Sequence, residues 1–424
     1  MSLTSMRDGV ASQTPLTPSA EPTTKRILIV DDRSDTFDGL VDIMRSAGAE
    51  WQIEFAPGGE AALKALAAEA VDVLVVEDQM SGMDGVTLLT RARDRYPTTI
   101  RMILSGTSKP GLATIISHRF ISKPADVQEL GVLIRRSCAL HERTGQVEAF
   151  RKTLATTTLP SRPGVYMELN QVLSDPTWQP NQVSAVIERD VAMSAKVLQL
   201  ANSALFGLAS TIASVRDAVM YLGVDTIRSL ALTAEAFGKL TPRNATAGFS
   251  IDEFQNHAML VARITGSILP AGQTQQQAVT AALLHDIGKL VAVADSGRRW
   301  AEINQLAQAR QVPVYEIELE QDGVSHADIG AHLLSLWGLP DVIVEAVAHH
   351  HSPRSVDGLA FDGVAAVHIA NSLAGELAPA GADVAPPIDA ELVARLQLQE
   401  RLGVWRERAA QIAAADADVA AGRE

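Results

Sequence analysis

The chain has 424 residues, 47% apolar and 20% charged, enough apolar material for about two or three packed domains and too much for a disordered chain. Thirty-six Lys and Arg against fifty Asp and Glu give a net charge of −14, a field that repels nucleic acid and anionic membrane. A single cysteine, Cys138, excludes an internal disulfide or thiolate cluster, fits a reducing compartment, and leaves any transition metal to His and carboxylate ligands.

Residues 1–25, rich in Ser, Thr, Pro and Ala, carry no apolar stretch of a secretory leader and read as a disordered tail. Nowhere do about 18 apolar residues run together, so the expectation is a soluble, cytoplasmic protein with no membrane partner. From Arg26 five short β-rich runs follow: RILIV (26–30), WQIEF (51–55), VDVLVV (71–76), IRMIL (100–104) and RFIS (119–122). Between them apolar residues recur at helical spacing, as at Phe37, Leu40, Val41 and Met44, and at Leu63, Leu66 and Ala67. This alternation predicts an α/β, doubly wound domain over 26–140: a five-stranded parallel sheet covered on both faces, with its ligand site beyond the carboxyl ends of the strands. From Asp126 to Leu154 no proline interrupts, so one long helix leads out of the sheet, with 141–158 as a helical linker. Residues 159–375 show amphipathic helices punctuated by Pro and Gly and little strand signal, a second, all-α domain, and 376–424 add a C-terminal helical extension.

Two groups of residues carry chemistry. Asp31 and Asp32 follow the first strand, Glu77 and Asp78 end the third, Ser105 ends the fourth, and Lys123 follows the fifth, so carboxylates, a hydroxyl and an ammonium meet at one sheet edge. Crowded carboxylates need a cation, and Asp31 and Asp32 suit Mg²⁺, which takes one or two carboxylates plus waters and phosphate oxygens. In the second domain, AALLHDIGKL places His285 and Asp286 at the end of an apolar helix, with Gly288 reading as the stop. His257 stands 28 residues upstream of His285, with Glu253 one turn before it on the same face. Ser325 reads as an N-cap with Asp328 as its capping-box partner, which puts His326 in a first helical turn, and AVAHHHSP supplies His349, His350 and His351 at a helix end. Imidazole with carboxylate suits Zn, Mn, Fe or Ni. Isolated histidines such as His118 and His141 read as structural.

The acid pair, the hydroxyl and Lys123-Pro124, with Met83-Asp84-Gly85 in the third loop, resemble the receiver domain of two-component response regulators over about 26–140. The resemblance implies Mg²⁺, a sensor histidine kinase or other phosphodonor, and a phosphoacceptor eight residues before Gly85, where this chain has Glu77 instead of aspartate. A glutamate, one methylene longer, imitates the charged state of a phosphorylated receiver. Asp78 is the fallback phosphoacceptor, but adjacent strand residues point to opposite faces, so it meets the pocket only if the strand ends or bulges there. Ser81 replaces the proline of the family loop, and the short stretch between Ser105 and Lys123 implies a shortened fourth helix, on a face that receivers commonly use for dimers or output.

LPSRPG, ERDVAMSAKVLQLANSALFG, IASVRDAVMYLGVDTIRSL, LLHDIGKL and HADIGAHLLSLWGLPDVIVEAVAHHHSP resemble an HDOD domain, the HD-related output domain of bacterial signalling proteins, over about 155–375. Carried over from active HD phosphodiesterases, Glu253, His257, His285, Asp286, His326, His350 and His351 are metal ligands and Lys289 contacts a phosphate. The pattern departs from those enzymes in two places. Ser352-Pro353-Arg354 stand where Gly-Tyr-Pro should follow the His pair, and the last ligand Asp is replaced by His368 or Asn371, depending on alignment. As a family, HDOD domains act as binding modules. The combined resemblance implies a phosphorelay response regulator whose receiver controls protein–protein contacts of an HDOD output, with another signalling protein as partner and a homodimer allowed. The rival is a metal-dependent phosphohydrolase of a cyclic dinucleotide or nucleotide. DNA binding has no basic helix-turn-helix behind it. Val197, Leu198, Leu200 and Ala201 read as a packing face, with a partner-binding groove around Trp178 as the alternative.

Overall fold

The computed structural model describes residues 24–32, 51–106, 116–123, 127–154, 163–175, 177–201, 212–240, 248–358, 360–378 and 384–421. The expected tail, the helix of Phe37 to Met44, the shortened fourth helix and Asn202 to Gly207 lie outside these residues.

The N-terminal domain is a parallel sheet of β1 (Lys25–Val30), β2 (Trp51–Ala56), β3 (Val73–Glu77), β4 (Ile100–Ser105) and β5 (Arg119–Ser122) in the order β2-β1-β3-β4-β5. Alternation along the strands sorts two cores. Leu28, Val30, Leu74, Val76 and Ile103 face α1 (Gly59–Ala68) and α2 (Gly85–Arg95), while Ile27, Ile29, Val73, Val75 and Met102 face α3 (Val127–Leu154). Because both faces are covered, the strands read as continuous apolar runs. Strand order reverses between β1 and β3, the switch point at which such sheets bind ligands, and the acids sit at those two strand ends.

The C-terminal domain is all helix: α4 (Gly164–Leu173), α5 (Pro180–Glu188), α6 (Val191–Ala201), α7 (Val215–Leu222), α8 (Val224–Leu240), α9 (Ile251–Ile268), α10 (Gln273–Leu284), α11 (Ile287–Arg310), α12 (Val314–Asp322), α13 (His326–Trp337), α14 (Asp341–His349), α15 (Gly363–Glu376), α16 (Ala390–Arg395) and α17 (Gln399–Ala421). The stretch Gln273–Arg310 is long and apolar enough to cross a membrane by length and composition, as a core helix also can be, and 72% of its most apolar window is buried. It is the central core element. The C-terminal extension is part of the same core: Leu392, Val393, Leu398 and Trp405 are buried in it, and Trp405 stacks on Phe361 at 5.2 Å. Val197 and Ala201 are buried and Trp178 and Leu198 pack half-buried against them, so these residues form a packing face.

Helix α3 belongs to both domains. Its Leu130 and Ile134 cover the sheet, and its later turns lie against α13 and α14. The interface is ionic and dry. Arg119 of β5 and Arg136 of α3 both bind Glu345 of α14, and the three are 3%, 8% and 1% exposed. The Asp341 N–H at the start of α14 donates to the His118 carbonyl at 2.7 Å, a backbone hydrogen bond between the domains.

Candidate functional sites

At the sheet edge, Asp32, Glu77, Asp78, Ser81, Asp84 and Lys123 line an open cleft of about 890 Å³. Asp31 and Ser105 are buried at the strand ends and do not line it. Lys123 forms an ion pair with Glu77, whose carboxylate is buried. β3 ends at Glu77, which frees Asp78 from the strand alternation, and the Ser105 hydroxyl donates to the Asp78 carboxylate at 2.8 Å. The two neighbouring acids therefore divide the family partners: Glu77 takes the lysine and Asp78 the hydroxyl. Asp32 accepts the Ser81 N–H at 2.6 Å, which ties the first acid to the loop after β3. Asp84 caps α2 by accepting from the Thr87 N–H. Gly85 has a separate reason: a Cβ there would lie 2.4 Å from the Glu77 carbonyl, so only glycine lets the helix start dock on the strand end. Oxygen donors so placed fit Mg²⁺.

In the helical domain four segments converge. His285 and Asp286 form the turn between α10 and α11, His326 opens α13, and His350 and His351 follow α14. Around Asp286 lie the Nε2 atoms of His326 at 3.1 Å, His285 at 3.4 Å, His350 at 3.6 Å and His257 at 3.9 Å. His351 Nε2 is 3.0 Å from His326 Nε2. Among the described residues two candidate ligand sets result, His257-His285-Asp286 and Asp286-His326-His350-His351, sharing Asp286. The buried His285 Nε2, His350 Nε2 and Asp286 Oδ1 have no hydrogen bond of acceptable geometry within the chain. Buried polar atoms without partners are costly, and these three belong to the two sets that share Asp286, donors of the kind a divalent cation takes.

The outward faces of these rings are fixed. His285 Nδ1 donates to the Ala282 carbonyl and His350 Nδ1 to the Val347 carbonyl, each at 2.7 Å, which leaves both Nε2 atoms as donors to a metal. Glu318 of α12, buried, contacts both the His326 N–H at 2.8 Å and Nδ1 at 2.6 Å. Tyr315, one turn earlier, stacks on His351 at 4.1 Å. Burial pushes His257 and His285 down to about 4, and His351 falls well below its usual value for the same reason. His326 goes the other way, to about 9, because Glu318 and Asp286 outweigh its burial. Burial also opposes ionisation of Asp286, but His285 and Lys289 hold its carboxyl well below the usual range.

Glu253 and Gly288 are placed otherwise than the sequence suggests, and the structure adds detail at Lys289 and at the His368–Asn371 alternative. Glu253 is exposed in the first turn of α9 and belongs to neither ligand set. Lys289 donates to Asp286 at 2.7 Å, so it is engaged with the shared carboxylate. Of the two candidates for the last ligand, Asn371 contacts His257 Nε2 at 3.0 Å, whereas His368 accepts the Asp389 N–H at 3.0 Å and is structural. Gly288 does not stop a helix: it sits in the first turn of α11, where a Cβ would fall 1.9 Å from the His326 carbonyl. Its small size lets α11 and α13 approach closely enough for His326 to reach Asp286. The capping box at Ser325 and Asp328 is present, with Asp328 Oδ2 accepting from the Ser325 N–H and hydroxyl at 2.7 Å.

Comparison with known proteins matches residues 27–135 to the response regulator receiver domain and residues 159–353 to the HDOD domain. This chain is a receiver domain followed by an HDOD domain. It is 26% identical over 201 residues, 46% of its length and 38% of the other, to an uncharacterized protein of Treponema pallidum (strain Nichols). Over 114 residues, 26% of its length and 49% of the relative, it is 36% identical to the heme response regulator HssR of Staphylococcus aureus (strain JH9). A crystal structure from Marinobacter aquaeolei VT8, assigned to signal transduction, shares the fold at a TM-score of 0.51 and 21% identity over 70% of each chain. The chain spans less than half the length of these curated relatives. The two matches lie in the order receiver, then HDOD domain.

Reading the sequence missed Glu318, Arg119, Arg136 and Glu345 as site residues. Glu318 lies in the acidic run YEIELEQD and resembles its solvated neighbours. Glu345 left a faint signal, one acid in the otherwise apolar DVIVEAVAHH.

Proposed function

We propose that this protein is a cytoplasmic response regulator in which the charge state of the receiver cleft controls how the HDOD domain binds another signalling protein, and that Glu77 holds that cleft in a permanently charged state. The Glu77–Lys123 ion pair carries the reading. At the phosphoacceptor position a carboxylate already engages the lysine that would otherwise meet a phosphoryl group, and its extra methylene moves the charge outward. The output follows by population shift: the charged cleft favours one arrangement of β5 and α3, and the HDOD domain is packed against both. The test is labelling by acetyl phosphate with Mg²⁺. Glu77→Asp should be labelled far more than wild type, and equal labelling of the two removes the reading. Labelling of wild type that is lost in Asp78→Asn transfers the role to Asp78, which the Ser105 hydroxyl already contacts.

A second reading, a metal-dependent phosphohydrolase of a cyclic dinucleotide or nucleotide, is favoured by the two ligand sets around Asp286. A divalent ion there would supply a water of lowered pKa for attack on phosphorus. His285 and His350 would present Nε2, Asp286 would be shared, and Glu318 would orient His326. Metal analysis and turnover separate the readings: less than about one-tenth equivalent of transition metal, with no hydrolysis of cyclic di-GMP after metal is added back, leaves binding as the only role.

A further inference from the structure

Three arginines, one on β5 and two on α3, hold the two helices that deliver the histidines. Arg136 binds Glu345 through both carboxylate oxygens, Nε to Oε1 at 2.9 Å and Nη2 to Oε2 at 2.8 Å, and also reaches Asp362 at 2.8 Å. Arg119 adds a contact to Glu345 at 3.3 Å and is itself set by the Ser137 hydroxyl at 3.1 Å. Arg143, two turns after Arg136 on α3, binds Asp328 and lies 3.1 Å from His349 Nδ1. Glu345 and His349 are on α14, which runs directly into His350 and His351, and Asp328 is two residues after His326. Every histidine of the second ligand set therefore stands next to a residue gripped by α3.

The other end of this linkage is the receiver cleft. β5 has four residues, about 13 Å at the rise of an extended strand. Arg119 is its first residue, and Lys123, which pairs with Glu77, follows its last. A strand pinned in a sheet moves as a unit, so the cleft lysine and the buried arginine cannot shift independently.

We infer that the arginine clamp of Arg119, Arg136 and Arg143 couples the receiver cleft to the histidine centre, so that a change of charge at Lys123 and Glu77 alters cation affinity at Asp286, and cation binding alters the cleft by the same factor. Reciprocity is a thermodynamic necessity once both sites bias one arrangement, and couplings of this kind typically amount to about 5- to 150-fold in affinity. The inference rests on the histidine centre being a metal site, and its test separates the two.

The full-length chain is titrated with Mn²⁺ by calorimetry in excess Mg²⁺, which fills the oxygen-lined receiver cleft and leaves the histidine centre to Mn²⁺. Lys123→Ala removes the ammonium from the cleft without touching the clamp and should change Mn²⁺ affinity by about 5-fold or more. In a background with the buried triad made apolar (Arg119→Met, Arg136→Met, Glu345→Met), a replacement that buried ion triads tolerate, and with Arg143→Met removing the third arginine, Lys123→Ala should have no effect on affinity. Equal affinity of wild type and Lys123→Ala, or an effect that survives in the apolar background, overturns the coupling. If no chain binds Mn²⁺, the metal reading fails, and hydrogen exchange judges the clamp alone. The Asp341 amide, bonded to His118 across the interface, should exchange faster in Lys123→Ala, and unchanged exchange over 341–349 overturns the inference.

Discussion

Glu345→Gln is the sharpest test of how the domains are held. The carboxylate is 1% exposed and faces two guanidinium groups that are themselves 3% and 8% exposed. At an effective dielectric constant of about 20, each pair of unit charges about 4 Å apart attracts by about 4 kcal/mol, against which stands the desolvation of all three ions. Glutamine keeps the shape and one acceptor oxygen but cancels the attraction and leaves the arginines facing each other. Loss of one partner from a buried pair costs about 3–5 kcal/mol, and because Arg136 keeps Asp362 the lower figure, about 3 kcal/mol, is expected. In urea unfolding followed by tryptophan fluorescence, this should lower the midpoint by about 1 M. Trp51 reports on the receiver, and Trp300, Trp337 and Trp405 on the HDOD domain. A midpoint within about 0.3 M of wild type would refute the clamp as a stabilising element. The apolar triad should instead match wild type or exceed it by about 1–4 kcal/mol, since well-packed apolar groups avoid the desolvation of three ions.

Further outcomes follow from the same geometry. Glu318→Ala frees the His326 ring and should weaken divalent metal binding about 10- to 100-fold by calorimetry, with Glu318→Gln partly restoring it; unchanged affinity would show that Glu318 does not orient a ligand. Gly288→Ala forces α11 and α13 apart, because its Cβ would meet the His326 carbonyl at 1.9 Å, and should cost at least about 1–3 kcal/mol in thermal unfolding; an unshifted Tm contradicts this contact. The pH dependence of the metal-free chain has a worked sign. Burial by itself would raise the Glu345 and Asp328 carboxyls, but Arg119 and Arg136, and Arg143 respectively, outweigh it and hold both below their ordinary values of 4.5 and 3.8. Their contribution is complete above those values and fades as pH falls through the folded ones. His118, held well below 6.5 by burial and then by Arg101, has the same sign and costs stability as pH falls from 6.5. His326, raised to about 9, has the opposite sign: its contribution is complete below 6.5 and lost as pH rises to about 9. Tm measured without metal should therefore peak near neutral pH and fall on both sides; a Tm still rising from pH 7 to pH 9 would contradict the His326 environment.

Elements and motifs were legible in the order of the amino acids alone. Short apolar strand runs, the Met83-Asp84-Gly85 loop, the His285-Asp286 turn and the Ser325–Asp328 capping box are set by interactions within a few residues, and local spacing displays those directly. Glu77 and Lys123 could be placed together because parallel strands bring their carboxyl ends to one edge. Tertiary structure decided which of the candidate groups meet. Glu253 shares a helix with His257 yet stays in solvent, Asn371 meets the His257 ring whereas His368 meets the backbone of His350 and Asp389, and Gly288 serves a helix crossing that no local pattern records. The clamp is the extreme case: Arg136 and Glu345 lie 209 residues apart, and each looks like an ordinary charge on its own helix. Burial turns such charges into a specific joint, and burial belongs to the packed chain, so it could not be read from the neighbours of either residue.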